Sequence, residues 1–542
     1  MSGMVVAPQP EAVEAGALAL RRGGNAVDAA ITCALVQGVV DPQMCGIAGF
    51  GSLQVYIKGG EHYFIDFHGR APGAVTDDMW HQLIEGETPD GFGFILKGHV
   101  NDIGYQSITV PGSLKAYSEA HARHGLLSWR EIVEPAIVQA ERGSVIRPQV
   151  ERFWQVEDGS GRVQTRERLR FSESGRKIYF NPDGQLKKLG QTLYNPDMAA
   201  CLKRIADEGA EVFYQGEIAE LIAADMQANG GLLSLADLKS YETVRSEPLW
   251  GDYRGYRLST NQPPGGGTML IEMLNMLECF DLAGTGHNST EYIRIVTEVM
   301  KRATSDKDNF IGDPNFVDVP VARLTDKQYA ASLAEAIRHG EVASVERFRQ
   351  GESSNTTHVA VIDDDGNAVS MTHSLGMPSG VITDGLGFMY NGCMGVFDPR
   401  PGRADSLAPG KSRFSSLCPT MVFRDGEPCL VLGAPGGTQI AMGVLQAMLN
   451  VIDFGMDMQQ AVQAPRFSAT SDAIDISNRI PDYTVQPLRD MGYTVQRSPM
   501  SFAFALVHGI QAAGGLLNGG ADPGGDGMAL LVEPGDLAGE PH

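Results

Sequence analysis

The stretch "SSNTTHVAVIDDDGNAVSMTHS", residues 353–374, carries the pattern that decides the fold. Apolar and β-branched residues fill the runs on both sides of Asp365-Gly366-Asn367, a turn signal that is typical of a β-hairpin. The stretch "PTMVFRDGEPCLVLGAPGG" repeats this design around its own Asp-Gly pair. Two such strand pairs, with helices on their outer faces, predict a layered α/β sandwich of antiparallel sheets.

Helical patterns flank these strands. The run "PEAVEAGALALRR" has apolar residues at helical spacing and ends at Gly23-Gly24, after which Asn25 and Asp28 predict the capped start of a second helix. "GSLQVYIKGGEHYFIDF" predicts two strands around a Gly-Gly turn, and residues 74–246 are mostly helical with polar loops. "YRLSTNQPPGGGTMLIEMLNMLE" then predicts a strand, a turn and a helix, and "GTQIAMGVLQAMLNVIDFG" predicts an apolar helix.

Composition and charge exclude several classes of partner. The 542 residues are too many for one small core, so we expect one large domain or two to three ordinary ones. A formal net charge of −23 argues against binding to nucleic acid or to an anionic membrane. No secretory leader is visible, and the longest apolar run is far shorter than the ~20 residues of a membrane span. We therefore expect a cytoplasmic protein.

The seven cysteines are scattered along the chain and include no C-x-x-C pair. Neither a zinc site nor a disulfide scaffold is expected, and reduced, buried thiols are predicted. The turn "DDDGN" places Asp363, Asp365 and Asn367 at alternate positions, as in a calcium loop. Its glycine comes too early in the loop and Ser374 stands where the closing glutamate belongs, so the pattern favours a simple turn.

Three further patterns each allow a structural and a catalytic interpretation. Ser174 and Lys177 form an S-x-x-K pattern but lack the S-D-N and K-T-G elements that accompany it in serine acyl-enzymes. "APGGT", residues 434–438, is either a glycine turn or a pair of backbone N–H donors that face a developing oxyanion. The adjacent serines of "RFSSLCPT" have no G-x-S-x-G context.

Taken in order, five blocks resemble one family. "GGNAVDAA", "PPGGG", "TTH…D-x-D-G-N-A-V-S", "SS-x-x-PT" and "G-x-PGG" are similar to the gamma-glutamyltranspeptidase (glutathione hydrolase) family over residues 3–526. The resemblance implies a four-layer αββα N-terminal-nucleophile hydrolase that is made as one inactive chain and cuts itself between Asn355 and Thr356. Residues 1–355 would form the large subunit and 356–542 the small subunit of one catalytic unit. This unit would be a heterodimer, or a dimer of such heterodimers, with no metal or other cofactor.

Thr356 is the nucleophile that the resemblance implies, and its chemistry is physically coherent. A threonine hydroxyl needs a base, and at a new N-terminus its own α-amine can serve. An α-amine titrates near ~7.7–8.0, against ~10.4 for lysine, and is therefore available near neutral pH. The substrate would be a small-molecule amide, with water or an amine as the acceptor. Thr357 and His358 would support the new terminus; strand propensity alone also explains them.

The resemblance assigns roles to five more residues. Ser374 takes the position of a second hydroxyl bonded to the nucleophile. Gly436 and Gly437 match the oxyanion-hole glycines, and Ser415 and Ser416 match the serines that contact the substrate α-carboxylate.

The substrate-binding residues depart from the family pattern at the carboxylate end. The family holds the glutamyl α-carboxylate with an arginine in "D-F-R-E-x-A-P". Here the stretch is "DFHGRAP", so His68 replaces that arginine and Arg70 lies two residues farther on. Both are candidate carboxylate contacts.

The ammonium end departs further. The family's "N-N-x-M-D-D-F" holds the α-ammonium with carboxylates, whereas this chain has "YNGCMGVF". Cys393 and Val396 replace the acidic contacts, Asn391 and Met394 remain, and Gly376 replaces a polar asparagine. Loss of buried charge partners weakens binding by several kcal/mol, so a free γ-glutamyl zwitterion should bind poorly.

Three hypotheses remain open at this stage. The changed pocket favours an amidase or acylase for another acyl group, such as a dicarboxylic monoamide or an N-acyl side chain. A true glutathione hydrolase or γ-glutamyltransferase is the alternative within the family. A member that has lost catalysis and serves as a binding protein is the alternative from another class, and self-cleavage distinguishes it from the others.

Overall fold

The structure is a computed structural model that describes residues 2–88, 93–156, 161–345 and 356–533. Two antiparallel sheets, of seven and six strands over these residues, stack face to face, and helices cover the outer face of each sheet. The layers therefore run helix, sheet, sheet, helix, which confirms the predicted αββα sandwich.

The predicted hairpin lies at the centre of the first sheet. Thr357–Ile362 pairs with Ala368–Ser374 through the turn at residues 363–367. The outer edges of this hairpin pair with strands that lie more than 300 residues earlier in the chain. In spatial order the strands of this sheet are Met528–Val532, Gly3–Ala7, Thr357–Ile362, Ala368–Ser374, Phe50–Tyr56, His62–Phe67 and Val244–Ser246.

The second predicted hairpin lies at the centre of the second sheet. Thr420–Arg424 pairs with Glu427–Gly433 around the Asp-Gly turn, and a register shift between Val422 and Phe423 marks a bulge. In spatial order the strands of this sheet are Leu516–Ala521, His508–Ala513, Glu427–Gly433, Thr420–Arg424, Tyr256–Thr260 and Leu249–Tyr253.

The central strand is buried on both faces. Val359 and Val361 pack in the core under the first helix layer, whereas Ala360 and Ile362 pack in the core between the sheets. Successive side chains of a strand point to opposite faces, so a strand covered on both sides needs an unbroken apolar run. This requirement explains the sequence "VAVI" in a chain whose surface is strongly acidic.

Two helix layers cover the sheets, and each layer shares a core with the sheet beneath it. The layer on the first sheet contains Pro10–Arg21, Ala26–Val40, Ser113–His124, Trp129–Arg142, Pro196–Glu208, Glu211–Gln215, Glu217–Ala228 and Leu235–Ser240. The layer on the second sheet contains Gly267–Leu277, Leu282–Thr285, Thr290–Phe310, Lys327–Arg338, Ile440–Ile452, Met458–Gln463 and Asp482–Asp490.

The predicted cap at Asn25 is confirmed. Its side chain accepts hydrogen bonds from Val27 N and Asp28 N, and the Asp28 side chain accepts one from Asn25 N. The helix that follows, Ala26–Val40, has every residue buried, because it lies between the sheet and the outer helices. A helix that is apolar all round is the pattern expected for such a position.

The remaining elements lie at the periphery. Short helices surround Trp154 in a cluster of their own: Pro148–Gln155, Thr165–Leu169 and Glu173–Tyr179. Val321–Leu324 is a further short helix, and 3-10 turns are formed by His81–Leu83, Lys97–His99, Tyr105–Ser107, Cys393–Val396 and Gly437–Gln439. Small sheets are formed by Phe467–Ser468, Ala473–Ile476 and Thr494–Arg497, by Ile84–Glu87 with Phe94–Leu96, and by Ser144–Val145 with Thr192–Leu193.

Several local predictions can be checked in this framework. The seven cysteines are free thiols; five are buried, as predicted, whereas Cys279 and Cys429 are half-buried. Asp363 accepts hydrogen bonds from the backbone N–H groups of Asp365, Asn367 and Ala26, so its carboxylate closes the turn and contacts the start of a helix. Within the ranges that the structure describes, no helix is long and apolar enough to span a membrane.

Each of the two large sheets contains strands from both sides of residue 355. In the first sheet the hairpin of residues 357–374 lies between Gly3–Ala7 and Phe50–Tyr56. In the second sheet Thr420–Arg424 pairs with Tyr256–Thr260. The predicted boundary between residues 355 and 356 therefore divides the chain but not the fold; that the chain is cut there stays a prediction.

Candidate active site

Thr356 lies directly before the central strand and beside Ser374. The hairpin register pairs Thr357 with His373, so the next position outward sets Thr356 against Ser374. Their hydroxyl oxygens are 3.0 Å apart. Ser374 Oγ also accepts a hydrogen bond of 2.8 Å from Gly376 N. Thr356 is 7% exposed and Ser374 1%. Asn355, the other side of the predicted cleavage bond, lies outside the described residues.

A buried polar network holds the strand that carries Thr356. Thr357 Oγ1 donates to Gln9 Oε1 at 3.1 Å and accepts from Gln37 Nε2 at 2.9 Å. Gln37 Oε1 lies 2.8 Å from His373 Nε2, and Tyr117 OH lies 2.6 Å from His373 Nδ1. Burial lowers the pKa of His373 to about 3, so the imidazole is neutral. Because an amide oxygen only accepts, His373 donates from Nε2 and accepts from Tyr117.

His358 is anchored in the same way on the opposite face of the strand. It is fully buried, and its Nδ1 lies 2.9 Å from Thr372 Oγ1 on the neighbouring strand. Burial holds the pKa of His358 well below its ordinary value. These contacts are those of a structural residue, which is the role the sequence predicts for it.

The glycine pair lies where the second sheet meets an apolar helix. Gly436 and Gly437 follow Glu427–Gly433 and have φ angles of +147° and +55°. A Cβ atom at Gly436 would lie 2.7 Å from Ala505 Cα. Both the backbone conformation and the close approach therefore require glycine here. Positive φ in successive residues turns neighbouring N–H groups to one side, an arrangement that binds anions.

One narrow cavity brings together predicted site residues from three parts of the chain. Among the described residues it is lined by Thr356, Ser374, Gly437, Ser415 and Ser416. Gly436 instead lines an adjoining cavity with Met500, Phe502 and Phe504. The cavity therefore holds two neighbouring hydroxyl groups and polar groups that could receive an anion.

The serine pair is held by the "PPGGG" block. Ser415 N donates to Pro264 O at 2.9 Å, and Gly266 N donates to Leu417 O at 2.9 Å. A Cβ atom at Gly266 would lie 2.5 Å from Ser416 O, so this close packing requires glycine. Two blocks that are far apart in sequence thus pack together, and the serine pair of one of them lines the cavity.

This geometry agrees with the comparisons to known proteins. The sequence model of the gamma-glutamyltranspeptidase family matches residues 12–532. The chain belongs to the gamma-glutamyltranspeptidase family. It is therefore an enzyme of the amidohydrolase and acyltransferase class.

Three individual matches extend over nearly the whole chain. The Acylase ACY 1 proenzyme of Pseudomonas sp. (strain V22) is 38% identical over 503 residues, which cover 92% of this chain and 88% of that relative. The glutathione hydrolase proenzyme of Pseudomonas aeruginosa is 34% identical over 553 residues, which cover 98% of this chain and 95% of that relative. The crystal structure of cephalosporin acylase from Bacillus halodurans superposes with a TM-score of 0.86 at 29% identity and covers 98% of this chain and 95% of that one.

The two residues that replace the family's arginine region lie in a separate cavity. His68 and Arg70 line a cavity of ≈ 450 Å³ together with Asp66, Tyr241 and Ser412. His68 is 5% exposed, and burial, with the nearby guanidinium groups of Arg413 and Arg70, lowers its pKa to about 3. The imidazole is therefore neutral. Arg70 lies 5.3 Å above the Tyr241 ring, and neither residue lines the cavity of Thr356.

Asn391 is fully engaged in the fold. Its Oδ1 accepts from Thr109 N at 3.0 Å and from Thr109 Oγ1 at 2.8 Å. Its Nδ2 donates to Ala48 O and Thr109 O, both at 3.0 Å. These bonds account for its side-chain donors, so contact with a substrate would require one of them to break. Its predicted role in binding stays a prediction.

Cys393 lies directly beneath Gly376. A Cβ atom at Gly376 would be 2.9 Å from Cys393 Sγ. The thiol is fully buried, and burial raises its pKa to about 11, so it is neutral. Val396 does line the cavity of Thr356. Neither the thiol of Cys393 nor the side chain of Val396 carries a negative charge.

Sequence reasoning missed both arginines that line the cavity of Thr356, Arg413 and the less buried Arg162. Arg413 is 3% exposed, and its guanidinium lies 4.5 Å above the Phe50 ring. The available signal was its place in "RFSSLCPT", two residues before Ser415, where an arginine stands in an otherwise small and apolar run. No group of three or more His, Cys, Asp or Glu side chains that could hold a metal ion occurs in the described part of the chain.

Proposed function

We propose that this family member is a self-processing threonine amidohydrolase whose acyl substrates carry a carboxylate but no α-ammonium group. The observation that carries the nucleophile assignment is the 3.0 Å contact between Thr356 Oγ1 and Ser374 Oγ in a cavity bounded by Gly437 and the serine pair. Relatives named acylase proenzymes and a structural neighbour named cephalosporin acylase support an acylase rather than a glutathione hydrolase.

Self-processing precedes catalysis in this proposal. Thr356 Oγ1 attacks the carbonyl carbon of Asn355, the peptide nitrogen leaves as the α-amine of Thr356, and water hydrolyses the resulting ester. Residues 1–355 and 356–542 are then two subunits of one fold. The proenzyme names of the relatives support this order of events.

The new α-amine then acts as the base. It takes the Thr356 hydroxyl proton while Oγ1 attacks the substrate amide carbon. The N–H groups of Gly436 and Gly437 stabilise the oxyanion, and Ser374 donates to Oγ1. The protonated amine gives its proton to the leaving nitrogen. Water or an amine attacks the acyl-Thr356 ester by the same steps in reverse and frees the hydroxyl.

The choice of acyl group rests on what surrounds the cavity. Cys393 and Val396 offer no negative charge to an α-ammonium group. Ser415 and Ser416 can still donate to a carboxylate. Their retention also favours the second candidate function, hydrolysis of glutathione or transfer of its γ-glutamyl group, because the family uses such serines for the glutamyl carboxylate.

The first experiment is an intact-mass measurement of the full-length protein under denaturing conditions. Two species that meet between Asn355 and Thr356 are expected, and Thr356→Ala should give one uncut chain without activity. Thr356→Ser keeps a hydroxyl and should cut slowly and retain some turnover. Normal cutting of Thr356→Ala would exclude this nucleophile, and an uncut wild-type chain would favour a binding protein that has lost catalysis.

A panel of p-nitroanilides then separates the two enzymatic candidates. The acylase proposal predicts faster hydrolysis of the glutaryl than of the γ-glutamyl anilide, since the two differ only in the α-ammonium group. Turnover of the γ-glutamyl compound at the higher rate would support glutathione hydrolase instead.

A further inference from the structure

Arg413 places a buried positive charge in the cavity of the nucleophile. The residue is 3% exposed and lines the same cavity as Thr356 and Ser416. Its guanidinium lies over the face of Phe50, with 4.5 Å between the guanidinium carbon and the ring centroid. A guanidinium is a planar cation with a fork of N–H donors that matches the geometry of a carboxylate.

The guanidinium of Arg413 lies beside Gly376. A Cβ atom at Gly376 would lie 3.8 Å from Arg413 Nη2, which is van der Waals contact, and 2.9 Å from Cys393 Sγ. Gly376 and Cys393 are two of the positions at which the chain departs from the family pattern. The guanidinium therefore lies next to a position at which the family pattern has a polar asparagine.

We propose that Arg413 is the specificity-determining residue of this enzyme and binds the distal carboxylate of the acyl group. Together with Ser415 and Ser416 it offers a planar cation and two hydroxyls, a set that suits a carboxylate at the end of an acyl chain. The inference rests on the proposed amidohydrolase function. It assigns carboxylate binding to a residue of the small subunit, in place of His68 and Arg70.

The same charge excludes the zwitterion. A γ-glutamyl group would bring an ammonium next to a guanidinium in a buried site, where like charges repel strongly. A glutaryl group has the same chain and the same carboxylate without the ammonium. Arg413 thus favours the carboxylate, and its repulsion of the α-ammonium group is not compensated, because no acidic side chain among the described residues lines this cavity.

The test compares three anilides in the self-processed enzyme. They are glutaryl-p-nitroanilide, its 4-carbamoylbutanoyl analogue, in which a carboxamide replaces the carboxylate, and γ-glutamyl-p-nitroanilide. In Arg413→Gln the ratio of kcat/KM for glutaryl to that for carbamoylbutanoyl should fall roughly 30- to 5,000-fold, the range for removing one partner of a buried charge pair. Arg413→Lys, which keeps the charge without the planar fork, should retain part of the ratio.

The γ-glutamyl anilide gives the opposite readout. Its kcat/KM relative to the glutaryl anilide should rise in Arg413→Gln, because the repelling charge is gone. A ratio of glutaryl to carbamoylbutanoyl that changes less than about threefold would overturn the inference, since a bound carboxylate contributes more than this.

Measuring self-cleavage distinguishes a failure of this inference from a failure of the proposed function. An enzyme that cuts at Thr356 and hydrolyses anilides without any dependence on Arg413 retains the proposed function and refutes only the inference. If Arg413→Gln does not fold, inhibition of the wild-type enzyme decides. Glutarate should inhibit more strongly than pentanoate, and 5-aminopentanoate should be the weakest of the three; equal inhibition by all three would refute a cationic subsite.

Discussion

Replacing Ser374 with alanine should slow both self-cleavage and turnover without altering substrate affinity. Ser374 Oγ already accepts from Gly376 N at 2.8 Å, so its own proton is available to Thr356 Oγ1 at 3.0 Å. In the cut enzyme the Thr356 proton must point to the α-amine, and Ser374 is then the donor that stabilises the developing alkoxide.

The magnitude follows from the loss of that one hydrogen bond. A bond of this kind contributes about 0.5–1.5 kcal/mol net, so kcat for Ser374→Ala should fall roughly 2- to 12-fold. KM should change little, because the bond is made to the nucleophile and not to the substrate. The assay is steady-state hydrolysis of a p-nitroanilide substrate, with the rate of self-cleavage followed by intact mass.

Ser379→Ala is the matched control. Ser379 is equally buried, and its hydroxyl donates to Tyr390 O at 2.9 Å and accepts from Val381 N at 3.1 Å. The Ser379→Ala variant therefore loses the same types of hydrogen bond as Ser374→Ala, but outside the cavity of Thr356. Equal kcat values in the two variants would refute the reasoning, because the loss would then reflect stability and not the nucleophile.

Two further predictions concern the oxyanion glycine and a buried histidine. Gly436→Ala would set a Cβ 2.7 Å from Ala505 Cα, and kcat should fall roughly 10²- to 10³-fold because the backbone N–H donor is displaced. The control is Gly402→Ala, at a residue with a positive φ of 82° in open space. Equal losses of kcat in the two variants would contradict the assignment of Gly436. Burial lowers the pKa of His508 from 6.5 to about 3 in the folded protein. Between these two pH values the unfolded chain therefore binds more protons than the folded chain does. The free energy of unfolding falls by about 1.4 kcal/mol for each unit by which the pH is lowered. In the uncut Thr356→Ala background, His508→Leu should therefore lose less stability on acidification between pH 6.5 and 4 in urea titrations, and an unchanged pH dependence would exclude this origin.

Local signals predict local structure well in this chain. The two hairpins, the capped helix after Asn25 and the helix after "PPGGG" each depend on residues that are close in sequence, and each is found as predicted. The pairing of Gly3–Ala7 with Thr357–Ile362 joins segments that no sequence period connects. The layered fold could therefore be predicted in class, whereas the order of its strands could not.

The candidate site shows the same limit. The contact between Thr356 and Ser374 follows from the register of one hairpin and could be derived from its turn. Which cation faces the cavity depends instead on how distant segments pack. His68 and Arg70, beyond the end of His62–Phe67, line another cavity, while Arg413 enters this one beside Phe50. A sequence motif identifies which positions belong to the site. It does not identify which side chain from a distant segment enters the cavity between them.

The pairing of strands from both sides of residue 355 affects how long a cut enzyme would survive. Two polypeptides that pair with each other in both sheets cannot separate without losing hydrogen bonds of the central strands. Once they do separate, refolding becomes a bimolecular association that slows with dilution, whereas the uncut chain refolds alone. Cleavage before Thr356 would thus make the survival of the enzyme depend on its unfolding rate and not on its equilibrium stability.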